Sequence, residues 1–252
     1  MPAPLNGLIL FAISLGLFWV VQRWLHRGLQ AVLLLLTRNH SVTIGIFSLL
    51  FFPGVLLHET SHFLMARLLG VRTGKFSLIP QTTAQGTLRL GYVETARADW
   101  VRDTLIGLAP LLSGVAVTAW LGLDRLQLLP VGTALLATQW QALPALFGKA
   151  ASVPDFWLWL YLAFAVSSTM LPSASDRQAW LPLGLALAVL LAAAVAAGAG
   201  EWMLQNLAPA INRILLGLSA VFAISLLVHL VLGIPIWLLR VFISRVTGLR
   251  VE

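Results

Sequence analysis

Long apolar runs limit what this chain can fold into. Leu5 to Val21, Val42 to Leu69 (broken only by a polar cluster), Trp100 to Leu123, Asp155 to Leu171, Pro182 to Gly200 and Ile211 to Ile243 are nearly free of charge. Each is long enough to approach or cross a hydrocarbon core of about 30 Å. Only 10% of the 252 residues are charged and 59% are hydrophobic, whereas a soluble domain carries about 25% charged residues. Together these exclude a soluble globular protein and leave no room for a separate soluble domain. The first run has no positive charge before it and no small-x-small site after it, so it reads as a retained span rather than a cleaved leader.

The formal net charge is +7, but the 16 Lys and Arg stand singly between apolar runs, which points to membrane topology and not to nucleic acid. With six spans, one face holds ten basic residues and the other six. That bias makes the first face cytoplasmic and puts both termini there, in a multi-pass protein of a plasma or inner membrane. Trp19, Trp24, Trp100, Trp180 and Trp237 fall near span ends, as an aromatic belt would. The stretch 126–147 carries Pro130, Gln139, Gln141 and Pro144 and reads as non-spanning. Between Arg72 and Arg97, Lys75 to Ile79 and Thr87 to Glu94 alternate apolar and polar residues around Gly86, the pattern of a short β-hairpin. The expected fold is an all-α polytopic bundle of about six transmembrane helices with a membrane-associated hairpin.

With no cysteine in the chain, any metal must rest on His, Asp or Glu. Inside the second run stands His58-Glu59-Thr60-Ser61-His62. A helix places His58 and His62 one turn apart on one face, where two imidazoles can grip one Zn2+ ion. Glu59 lies about 100° round the helix, the place of a general base for a water at the metal. Three ionisable groups at membrane depth each cost a few kcal/mol, so they call for a compensating ligand; the alternative is a packed histidine pair with Glu59 against Arg67 or Arg72. A tetrahedral site still needs a third protein ligand. Asp176 is the first candidate, because it follows the fourth span directly and a six-span layout puts it at the end of the His58 helix. Asp103 is the substitute, ahead of Asp99, Glu94 and Glu201. His229, inside the last run, reads as a hydrogen-bonded packing residue, and His26 and His40 lie near a membrane surface and need no special role.

Val55-Leu-Leu-His-Glu-Thr-Ser-His-Phe63, with Gly70-Val71 after it, resembles the zinc motif of the site-2 protease family of intramembrane metalloproteases. Lys75 to Thr95 resembles that family's membrane-associated hairpin, and Pro172 with Asp176 its second ligand motif. Gly107-Leu-Ala-Pro-Leu-Leu-Ser113 is faintly similar to a further family element, with Ser113 in place of Asn, and Arg177 stands where the second motif has Gly. The resemblance covers roughly Ile44 to Asp176. It implies His58, His62 and Asp176 as zinc ligands and Glu59 as base, in a metalloprotease core at 41–176. That core comprises the zinc-motif helix 41–69, hairpin 72–97, helix 100–123, non-spanning 126–147 and helix 155–171, followed by C-terminal helices at 182–252, all within one transmembrane domain, 1–252. Both family asparagines that hold substrate backbone are absent, and Ser113, Ser167 or Ser168 are the available substitutes.

The expected activity is hydrolysis of peptide bonds in membrane-spanning substrates. Its partners would be such a substrate, the lipid bilayer and a regulatory membrane protein, with no nucleic acid. The alternative is a non-catalytic zinc-binding scaffold or pseudoprotease that holds transmembrane helices, and a zinc transporter stands third.

Overall fold

The computed structural model describes residues 6–82 and 88–248. In lipid an exposed backbone must satisfy its own donors and acceptors, so the apolar runs become helices. The first two are α1, Asn6–Thr37, and α2, His40–Leu68. Between them Arg38 turns at φ 50, and the Asn39 side chain accepts the N–H groups of Ser41 and Val42 at 2.9 and 3.2 Å, capping α2. Just past the end of α2, Gly70 takes φ +69, which only glycine adopts without strain.

The hairpin forms two antiparallel ladders. β1 (Thr73–Ser77) pairs with β4 (Tyr92–Thr95), and β2 (Gln81–Thr82) with β3 (Leu88–Arg89). Its expected tip at Gly86 lies outside the described residues. Asp99 then caps α3, Trp100–Trp120, which runs on through the wider turns of Leu121–Arg125. The stretch after it folds as two short helices, α4 (Leu129–Leu136) and α5 (Leu143–Ala151), before α6 (Phe156–Thr169). The sequence suggests Asp155 as a helix-starting cap, but it sits in the left-handed region at φ 56 with no side-chain cap bond. Capping needs an extended residue whose oxygen points back at the first N–H groups. Here only its carbonyl serves the helix, accepting from Leu158 and Trp159.

Beyond Asp176 come α7 (Trp180–Ala194), α8 (Gly200–Trp202) and α9 (Ala208–Thr247), which run together as one helical stretch of 68 residues broken at Gly198, φ +89. Among the described residues four helical stretches are long and apolar enough to cross a membrane, or five if the segment containing α5 and α6, bent by 102°, counts as one span.

Pairing fixes the directions. Gly7 meets Asn212, Phe18 stacks near Phe222 and His229, and Gly28 faces Ile236, so α9 runs parallel to α1. Leu50, Gly54 and His58 meet Tyr161, Ala165 and Thr169 in turn, so α2 and α6 are parallel as well. α3 opposes α6, with Gly114 against Met170 and Trp120 against Trp159. Thus α1, α3 and α9 point one way, and α2 and α6 the other. The expected fifth and sixth spans do not fit this arrangement, because a sixth crossing would be antiparallel to the first. Residues 200–207 rise only about 12 Å as helix, too little to return from a full crossing by α7. α7 itself buries no side chain.

The count of basic residues changes with it. Among the described residues, Arg67, Arg72, Lys75, Arg89, Arg97, Arg102, Arg177 and Arg213 lie toward the end of the bundle that holds Asp176, and the other seven toward the opposite end, so charge no longer favours either face as cytoplasmic. The core between the ends joins Leu25, Phe47, Phe51, Leu121, Phe164 and Val228. At the far end the Arg125 guanidinium lies 4.9 and 5.1 Å from the Trp120 and Trp159 rings.

Candidate metal centre

Helical geometry alone aligns His58 and His62 on α2, and their Nε2 atoms stand 3.2 Å apart. The Asp176 carboxylate, from the loop after α6, closes the third side at 3.6 Å from His58 Nε2 and 3.3 Å from His62 Nε2. Among the described residues these three form the one group whose ligand atoms all lie within 4.8 Å of one another. The outer nitrogens decide the tautomers. His58 Nδ1 lies 2.7 Å from the Thr169 carbonyl and His62 Nδ1 2.9 Å from the Ile106 carbonyl. A carbonyl only accepts, so each Nδ1 carries the proton and, in a neutral ring, each Nε2 turns a lone pair inward. Two lone pairs and a carboxylate converging away from solvent repel one another unless a cation lies between them. The donor set therefore fits a metal ion, and the backbone carbonyls act as the outer hydrogen-bond shell that orients metal-binding imidazoles.

Asp176 is held by its own loop. Ser173 N–H donates to its Oδ2 at 2.7 Å, and the Asp176 N–H returns a bond to Ser173 Oγ at 3.3 Å. Burial opposes ionisation of this carboxyl, but the contacts with His58 and His62, which donate through Nε2 only when their rings are protonated, and the Ser173 N–H bond outweigh it and hold the group well below the usual carboxylate range. Gly107 on α3 lets the loop in: a Cβ there would stand 2.0 Å from the Asp176 carbonyl oxygen. Sequence reasoning placed Gly107 in a family-like element without this role, because the contact spans 69 positions and nothing local marks it.

Glu59 is buried, 7% exposed, and lines the same cavity of about 960 Å³ as the three ligands, with Arg89, Gly91 and Asp103. The backbone after β3 lies directly over it, since a Cβ on Gly91 would come within 2.9 Å of Glu59 Cγ. Among the described residues Glu59 pairs with neither Arg67 nor Arg72, and three of the four carboxylates ranked behind Asp176 serve elsewhere. Asp99 caps α3, Glu94 accepts the Lys75 N–H, and Glu201 accepts from Gln205. Asp103 lines the cavity but does not join the ligand group. Of the three serines, Ser168 lines the cavity, whereas Ser167 bonds back to its own helix and Ser113 is held by Ser61 at 2.6 Å. His26 packs its ring on Phe47 and Phe51.

In comparisons with known proteins, no family model, curated protein or solved structure matches this chain.

Proposed function

We propose that this protein is an intramembrane zinc metalloprotease of the site-2 protease kind, acting on peptide bonds of membrane-spanning substrates. The reading rests above all on the convergence of His58, His62 and Asp176 with Glu59 lining the same cavity. Zinc is the metal of choice because a tetrahedron with bonds of about 2.0–2.1 Å has edges of about 3.3 Å, and the three spacings here are 3.2, 3.3 and 3.6 Å. When bound, the ion supplies Lewis acidity to a water and to a substrate carbonyl. Glu59 takes the proton of the attacking water and hands it to the leaving amine, which turns one carboxylate into both base and acid. The Thr169 and Ile106 carbonyls keep both imidazoles in register through that cycle. The β3–β4 segment flanks the cavity, where an unwound substrate strand can lie.

The pairing directions support five crossings, with the N-terminal end of α1 on the face nearest the metal centre and the C-terminal end of α9 on the other. A second reading, a zinc-holding scaffold that binds helices without cutting them, draws on Ser113. It stands where the family has Asn, yet it is engaged by Ser61 and lies outside the cavity lining. Glu59→Gln separates the two. Zinc content of the purified protein stays at the parent level in both readings, while cleavage of a transmembrane reporter falls about 10²–10⁴-fold in the first. Undiminished cleavage by this variant defeats the protease reading.

A further inference from the structure

A helix that ends inside a bilayer leaves carbonyls that no intrahelical donor reaches, and lipid offers none. α6 ends at Thr169, beside the metal centre, where the flanking Ser168 and Met170 are buried. Side chains from two other helices take two of its last carbonyls. Thr169 O accepts from His58 Nδ1 at 2.7 Å, and Ser168 O accepts from Gln22 Nε2, on α1, at 2.5 Å. The Ser168 hydroxyl meets His229 Nε2, on α9, at 3.0 Å. The direction of that bond follows from the far side of the ring, where His229 Nδ1 must donate to the Ser225 carbonyl at 2.8 Å. A neutral imidazole then has only an acceptor at Nε2, so Ser168 donates. Ser168 is 5% exposed, Gln22 8% and His229 0%, and the rings of Phe18 and Phe164 hold the His229 ring at centroid distances of 5.1 Å.

We infer that Gln22, Ser168 and His229 are positioning residues for the metal ligand His58. α1 and α9 clamp the last turn of α6, which holds the Thr169 carbonyl where it sets the ring orientation and tautomer of His58. The helices nearest the chain ends thereby contribute to metal binding without supplying a ligand. This rests on the metal-site reading proposed above. If the bonds only glue helices together, their loss would lower stability and leave the coordination geometry of the remaining folded protein unchanged.

Two mild variants separate these cases in the full chain purified in detergent. Gln22→Met keeps the length of the side chain and removes its donor, and Ser168→Ala removes the hydroxyl and keeps the carbonyl. Zn2+ and Co2+ are the probes, with the Co2+ absorption bands reporting coordination geometry. Each variant is expected to bind both ions about tenfold or more weakly than the parent, as outer-shell changes do, with shifted Co2+ bands and a loss of affinity larger than any fall in metal-free unfolding temperature accounts for. Parent-like affinity and bands in both variants overturn the relay. So does a loss of affinity that merely tracks a lower metal-free unfolding temperature with unshifted bands. A parent protein that binds neither ion overturns the metal reading itself, and the relay with it.

Discussion

Gly107→Ala tests whether α3 and the Asp176 loop meet as described. The added Cβ would stand 2.0 Å from the Asp176 carbonyl oxygen, 3.0 Å from its carbonyl carbon and 3.3 Å from its Cα. Real Cβ atoms essentially never approach closer than 3.0 Å, so the backbone of Asp176 or the α3 axis has to move by at least 1 Å. The atom in the way is backbone and cannot swing aside as a side chain would. Metal–ligand bonds tolerate only about ±0.2 Å, so a carboxylate displaced by that much leaves the two imidazoles without their partner. The expected result is a loss of metal affinity of tenfold to a hundredfold, or about 1.4–2.8 kcal/mol at roughly 1.4 kcal/mol per factor of ten. Cleavage falls about 10²-fold, the usual effect of a 1 Å misplacement. The assay is competition for Zn2+ against a chromophoric chelator, with Gly217→Ala as control, since nothing lies within 4 Å of a Cβ there. Parent-like affinity in Gly107→Ala would refute the packing of α3 on the ligand loop.

The third ligand is checked by metal content after Asp176→Ala and, separately, Asp103→Ala. The first is expected to strip the stoichiometric ion and the second to leave it, and the reverse pattern reassigns the site to Asp103. Topology is open to single-cysteine labelling, because the chain has no cysteine of its own. Asn6→Cys and Thr247→Cys are expected to react with an impermeant maleimide from opposite faces, whereas labelling from one face would restore an even number of crossings.

The local parts of this protein were legible from its residues. His58 and His62 share a face because the α-helix repeats every 3.6 residues, whatever surrounds it. Gly70, a natural stop after the run Phe63 to Leu69, ends a helix for an equally local reason, whereas the caps at Asn39 and Asp99 went unread although their residue types suit them. Asp155 failed as a cap through its backbone conformation, which its side-chain type does not reveal. Asp176 could be named as a ligand candidate only through its expected membrane depth and the resemblance of Pro172 with Asp176 to a family motif, since 114 positions separate it from His62. The carbonyls of Ile106 and Thr169 left no trace in the sequence, because every residue carries one.

Hydropathy by itself marked the runs apolar enough to enter a membrane, because transfer to lipid is a sum of local terms with little regard to neighbours, but not how many of them cross. Direction and partnership came only with the tertiary structure. Lipid tails are as apolar as the helices, so association depends on close packing and polar contacts between distant segments. The meeting of Gly7 with Asn212, Gly54 with Ala165 and Gly107 with Asp176 therefore decided that α9 lies parallel to α1 and that a carboxylate closes on two imidazoles.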